Sequence, residues 1–447
     1  MTDEPTQATE STKRGKRRSL WTAGAAVLAV TAAAATWAVI GRQESGGEAD
    51  RSASTTPTAT ASAPSPEEQL SAAVTPILTA RASAVLSGRL PQYLQDLDPG
   101  NRKLRQREQL VFSNLRKLGL SRVSYQIDAN WAPEPQPQHG PTARAVRVLM
   151  QVQIAGIDPA PRAVPLGYTF AERHGRWLLV DDDDLAAETD LNAYREPWDL
   201  GAIEVARKPG VLVIVPAGER ANGERLAREA QAALPAVRSA ARRAVPGIVV
   251  IAMSDRRSID PEWQTGGHLA AAVAVTNYTP ANPEATEFKV TGSRVVINPT
   301  WRTRSDRMLL AHEFTHAAHK TLGNAAPTWL VEGFAMYVEQ RLAEQSGNED
   351  EVDEWRQELL SEAIPSLVVL PIDGVFHGEY DEDSYGVSWI VVEYLVSKYG
   401  LATLNALYAD LAKGPDDPGT REQVIRKHLK VTETALVAAI KKYDGSS

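Results

Sequence analysis

The 447-residue chain contains no cysteine. This excludes disulfide staples, thiolate-ligated zinc and cysteine nucleophiles, but it does not fix the compartment. Aromatic residues are sparse at 6%, with only six phenylalanines, and no internal repeat or Gly-rich phosphate loop is present. The net charge is −8, and residues 1–41 carry five basic against three acidic side chains, so the acidity belongs to the remainder. A basic face able to bind phosphate backbones is therefore missing, and no nucleic-acid partner is expected. What remains, 43% hydrophobic and 23% charged, is the composition of a globular protein. Its length suggests two or three folded units.

There is one long apolar run. Leu20–Ile40 (LWTAGAAVLAVTAAAATWAVI) has no charge and follows the cluster Lys13, Arg14, Lys16, Arg17, Arg18. A helix of that length spans roughly 30 Å, the thickness of a bilayer core. The preceding basic residues orient the N-terminus toward the cytoplasm. A cleaved signal peptide is the rival, but its apolar region runs only about 7–15 residues. The expected order is a basic tail (1–19), a transmembrane helix (20–41) and a flexible Ser/Thr/Ala/Pro stalk (42–66). The stalk lacks apolar periodicity and cannot bury enough surface to order itself. The expected location is the cell membrane, single-pass, with the later domains extracytoplasmic.

Residues 67–190 read as an α+β unit. Helical spacing at Leu70, Val74, Leu78, Leu86 and Leu90 precedes strands at Arg122–Ile127, Ala145–Ile154, Gly167–Ala171 and Trp177–Val180. His174-Gly175 is the expected hairpin turn. Helices followed by a curved meander ending in GYTFAERHGRWLLVDDDD resemble the cone-shaped nuclear transport factor 2-like superfamily. That resemblance implies either a ligand pocket or a spacer. Asp181–Asp184 read as a solvated strand end, because no glycine-containing calcium loop accompanies them.

Residues 195–447 read as a mixed sheet followed by a mainly helical half. The sheet strands are GVLVIV (Gly210–Val215), GIVVIA (Gly247–Ala252), Ala270–Thr276 and Ser293–Asn298, and a long helix over Arg220–Ala244 separates the first two. Arg294–Asn298 suits either an edge strand able to pair with an extended peptide or an interior strand.

The chemistry concentrates in Leu310–Lys320, LAHEFTHAAHK, on a helix expected to begin near Thr303. His312 and His316, four residues apart, project side by side from a helix and can bind one zinc ion. Glu313 then borders the metal and can take a proton from its water. Glu332, sixteen residues after His316, lies in PTWLVEGFAMYVEQRL, a helix that a short turn folds back antiparallel. Gly333 beside it permits close helix approach. Two histidines and one glutamate leave a fourth position open, as in catalytic zinc sites. His319 is the competing third ligand, but one straight helix would have to present three donors to one ion.

LLAHEFTHAAHK followed by PTWLVEGFAMYVE resembles the gluzincin, or peptidase MA-like, zinc metallopeptidases over roughly residues 211–443. The resemblance implies His312, His316 and Glu332 as metal ligands, Glu313 as base and a peptide or protein substrate. The thermolysin-like branch carries an Asp four residues after the ligand Glu. Met336 stands there in this chain, leaving the partner of the zinc ligands unidentified. The family also implies an oxyanion donor at the start of a later helix, where Tyr385 begins YGVSWIVVEYLVSKYG, with His377 as the alternative. The Gly-Ala-Met-Glu-Asn signature of related aminopeptidases is absent, which favours an endopeptidase. The competing readings are an aminopeptidase and a non-catalytic binding or envelope-organising protein on the same scaffold. The sequence sets no oligomeric state.

Overall fold

The computed structural model describes residues 64–186, 195–245, 247–259, 270–276, 290–323, 325–372, 376, 381–415 and 417–445. The expected basic tail, transmembrane segment and nearly all of the stalk lie outside the described residues, as does His377. The protein is α+β.

The front of the chain forms α1 (Pro66–Ser87), α2 (Leu90–Tyr93) and α3 (Arg102–Lys117). Ser65 starts α1 through a capping box with Glu68, and Pro66 occupies the first helical turn. Among the described residues α1 is long and apolar enough to cross a membrane by length and composition. However, its buried face includes Arg81, paired with Glu108 at 2.8 Å, and it packs on β1 as a helix of the protein core.

The strands β1 (Leu120–Ile127), β2 (Glu134–Pro135), β3 (Arg144–Ile154), β4 (Arg162–Arg173) and β5 (Arg176–Asp181) follow. They form an antiparallel sheet of order β1-β3-β4-β5, with β2 on β3. The β4–β5 hairpin turns at His174 and Gly175, with φ of 53° and 75°. These left-handed conformations are what a two-residue I′-type turn demands, as the His-Gly pair suggested.

A short helix, α4 (Pro197–Leu200), leads to β6 (Ile203–Lys208), β7 (Val211–Pro216), α5 (Arg220–Ala241), β8 (Ile248–Ile251), β9 (Ala270–Thr276) and β10 (Val290–Ile297). The second sheet has the order β6-β7-β8-β10-β9, with β7, β8 and β10 parallel and the outer strands antiparallel. β10 is therefore an interior strand, flanked by β8 and β9. Among the described residues the edge on that side is β9, so of the two readings of Arg294–Asn298 the interior strand holds.

Both faces of this sheet are covered, which explains its unbroken apolar strands. Val211, Val213, Val215, Ile248, Val250, Val295 and Ile297 face α5 and the later helices. Leu212, Ile214, Val249, Ile251 and Val296 face the opposite way and join one core with the front unit. The front unit thus shares one hydrophobic core with the sheet's second face. Buried ion pairs reinforce the junction. Arg294 on β10 grips Asp158 at 2.7 and 3.0 Å, and Arg162 pairs with Glu196.

The helical half comprises α6 (Arg307–His319), α7 (Thr328–Gln345), α8 (Glu349–Glu358), α9 (Asp381–Leu411), α10 (Pro418–Leu429) and α11 (Glu433–Ile440). α9 is broken at Gly400, where φ is 82°, the helix-ending role that its position in SKYG suggests.

Candidate metal centre

The helix that carries the histidines starts later than the sequence suggests. Asp306 is its N-cap, accepting from the N–H groups of Met308 and Leu309 at 3.1 Å each, so Thr303 lies outside. From that fixed start, His312, Glu313 and His316 fall on buried turns of α6, packed against α5, α7 and β10. Gly323, at φ 137°, takes the chain close to the Ala412 carbonyl, where a Cβ would approach to 2.0 Å. α7 then returns along α6 and delivers Glu332.

Gly333 is the contact point with α9. A Cβ there would stand 2.3 Å from the Ser388 carbonyl oxygen, so only glycine allows this crossing. Glu332 is thereby held in place by the backbone of a third helix.

His312 Nε2 lies 3.4 Å, and His316 Nε2 3.6 Å, from the same Glu332 oxygen, Oε2. One donor atom from each residue lies within 4.8 Å of the others, and all three side chains are buried. Two ligands bonded at 2.0–2.1 Å to one tetrahedral ion stand roughly 3.4 Å apart. The spacing matches a shared ion, and it is too long for good hydrogen bonds. Neither ring nitrogen of His316 makes a hydrogen bond among the described residues, although the ring is buried. An unsatisfied buried imidazole is costly unless a ligand completes it, so the donor set fits a zinc ion.

The partner of the first histidine is Glu339. Its Oε2 lies 2.9 Å from His312 Nδ1, and both groups are buried. With Nδ1 donating to that carboxylate, Nε2 is the ring nitrogen that faces Glu332 and would give its lone pair to a bound ion. Burial pushes the His312 imidazolium down, but the Glu332 carboxylate facing Nε2, the hydrogen bond from Nδ1 to Glu339 and the charges of Glu339 and Glu313 outweigh it, raising its pKa to about 10. His316 moves the other way, lowered by burial first and then by the neighbouring His312. Glu339 was not anticipated. Its signal was available in MYVEQRL, seven residues after Glu332 and therefore two turns along the same face of α7.

His319 stands apart from the donor cluster. Its Nδ1 faces the Thr315 carbonyl at 2.9 Å, and its ring packs on Tyr408 and Phe334 with centroids 4.3 and 4.6 Å away. It is fully buried, so it is a packing residue behind the site and not a surface one. Burial lowers its pKa to about 4 and keeps it neutral near pH 7. Met336, at the position of the expected Asp, is part of the hydrophobic core.

Tyr385 lies in the first turns of α9, one turn before Ser388, which packs on Gly333. It is buried and meets Phe376 edge-on at 5.4 Å.

No family model and no curated protein matches the chain. Among solved structures, yeast LTA4 hydrolase in complex with bestatin is similar at 13% identity and a TM-score of 0.35, covering 55% of this chain and 38% of that one. An M1 zinc metallopeptidase from Deinococcus radiodurans, bound to a Tyr-Ser-Ala substrate, is similar at 13% identity and a TM-score of 0.35, covering 72% and 61%. A two-domain M1 zinc metallopeptidase bound to L-tryptophan reaches 15% identity at the same TM-score, covering 73% and 71%. The chain thus spans well under half the length of the yeast enzyme. These likenesses are too distant to carry a functional argument, which rests on the donor geometry.

Proposed function

We propose that this chain is a zinc-dependent peptide-bond hydrolase, with His312, His316 and Glu332 as the metal ligands and Glu313 as general base. The observation that carries this reading is the approach of two imidazole Nε2 atoms to one Glu332 oxygen at 3.4 and 3.6 Å in a buried site.

Zinc held there supplies Lewis-acid chemistry, polarising a peptide carbonyl and making water acidic near neutral pH. Glu313, adjacent to His312 and fully buried, takes the proton of the attacking water and returns it to the leaving amine. Glu339 holds the His312 ring in register for its ligand role. Tyr385 donates to the oxyanion that develops on the carbonyl. The edge strand β9 aligns an extended substrate by main-chain pairing, the role that β10, with a strand on each side, cannot take. Internal cleavage is the preferred mode, because the chain lacks the Gly-Ala-Met-Glu-Asn signature that captures a free α-amino group in related aminopeptidases.

In this reading the hydrolase works outside the cytoplasmic membrane, tethered by the Leu20–Ile40 segment, with a nuclear transport factor 2-like front unit. A peptide-library digest followed by mass spectrometry, with and without chelator, tests it. Chelator-sensitive cleavage supports the hydrolase, and internal versus N-terminal cuts separate endopeptidase from aminopeptidase. Stoichiometric zinc without any cleavage replaces this reading with a non-catalytic binding protein on the same scaffold.

A further inference from the structure

The Asp181–Asp184 run is divided by the fold into two pairs with different surroundings. Asp182 and Asp183 are taken up by guanidinium groups: Arg107 pairs with both, and Arg195 reaches Asp183 at 2.8 Å. Asp181 and Asp184 turn instead toward His139, on the short helical turn Pro137–His139 that precedes β3. His139 Nε2 is 3.0 Å from Asp184 Oδ2, and one donor atom from each of the three residues lies within 4.8 Å of the others. Among the described residues no arginine or lysine forms an ion pair with either of these two carboxylates.

The groups around this cluster hold it in shape. Thr169 Oγ1 on β4 donates to Asp184 Oδ2 at 2.5 Å, and Gln138 Nε2 donates to Oδ1 at 3.2 Å. The Asp183 N–H donates to Asp181 Oδ1 at 2.7 Å, and Arg173 donates to the His139 carbonyl. All three candidate donors are half-buried, so their carboxylates repel across a partly dried space while water can still reach them.

We propose that His139, Asp181 and Asp184 form a second metal site, in the front unit, that takes a divalent transition-metal ion of the zinc class. An imidazole with two carboxylates is a donor set for such ions, whereas calcium takes six to eight oxygens and would find only four carboxylate oxygens here. The ligands come from two segments more than 40 residues apart, the turn before β3 and the end of β5. The ion therefore cross-links the sheet where the chain leaves it for the second unit. Its role is structural, and it is independent of the hydrolytic site.

The test is the zinc content of the full chain by elemental analysis, after equilibration with zinc alone and desalting. Four proteins are compared: wild type, Asp184→Asn, His312→Ala and the double variant. Asparagine keeps the shape and one acceptor oxygen, enough for the contact from Thr169, and far-ultraviolet circular dichroism of each protein checks folding. The expected contents are two, one, one and no equivalents. If His312→Ala retains no zinc, or if Asp184→Asn leaves its zinc content unchanged, the proposal is overturned. If zinc is lost with Asp184→Asn but not with His312→Ala, the hydrolytic reading fails and this one stands. Should Asp184→Asn not fold, Asp181→Asn in the same comparison decides.

Discussion

His312 and Glu339 form a buried imidazole–carboxylate pair, 2.9 Å from Nδ1 to Oε2, between two helices that cross at the candidate metal centre. The carboxylate fixes the ring orientation and raises the basicity of the nitrogen facing Glu332. Glu339→Ala is therefore expected to weaken zinc binding about 10–100-fold. Competition against a chromophoric chelator at fixed pH measures it. Unchanged affinity would show that Glu339 is only a buried acid with a convenient neighbour.

Gly333→Ala places a methyl group 2.3 Å from the Ser388 oxygen and 2.9 Å from Val392 Cγ2. The first obstacle is backbone and cannot rotate away, so α7 and α9 must separate. The expected cost is about 1–3 kcal/mol, accompanied by weaker zinc binding because Glu332 moves with the crossing. Thermal unfolding and the same chelator competition report the two effects. Stability equal to wild type would contradict this account of the crossing.

The Arg294–Asp158 pair links the half that carries the candidate metal centre to the front unit across a shared core. Removing one partner strands a buried charge, so Arg294→Met should cost about 3–5 kcal/mol. Arg294→Met combined with Asp158→Leu should recover most of that loss, since apolar replacement of a whole buried pair is often neutral. Urea unfolding of both variants discriminates. A single variant as stable as wild type would mean that the interface opens to water.

Asp199, on the short helix between the two units, has its pKa raised to about 8 from 3.8, by burial first and then by the Glu196 charge, with Arg195 opposing. Its folded form holds a proton that the unfolded chain has released. This contribution to stability is full below the unfolded pKa of 3.8 and is lost as pH rises through about 8. Asp199→Asn should remove a slope of up to about 1.4 kcal/mol per pH unit across that window and be the more stable protein at pH 8. Denaturant unfolding at pH 5 and pH 8 checks the sign. Parallel pH profiles for the two proteins would refute it.

The parts legible in the sequence are those set by short-range pattern. GVLVIV and GIVVIA are strands because a sheet covered on both faces has no polar side to alternate with. His174-Gly175 is legible because only a few residue types tolerate two successive left-handed conformations. The approach of Glu332 to the two histidines follows from a short turn between helices. Relationships set by distant chain segments were not legible. Val295-Val296-Ile297 suits an edge or an interior strand, and β9 decides between them. Glu339 shares the Glu332 face of α7, but the crossing of α6 and α7 that brings it to His312, 27 residues away, is a tertiary contact. The four aspartates look alike until the fold sends two toward arginines and two toward a histidine.

The central claim is that Glu313 acts as a base beside a zinc ion it does not bind. The decisive measurement is the peptide-cleavage rate of Glu313→Gln against wild type, with both proteins carrying equal zinc at the His312–His316–Glu332 centre. The account predicts a fall of at least about 100-fold at unchanged zinc content, since glutamine preserves shape but cannot accept the proton. Cleavage by Glu313→Gln at the wild-type rate would contradict it.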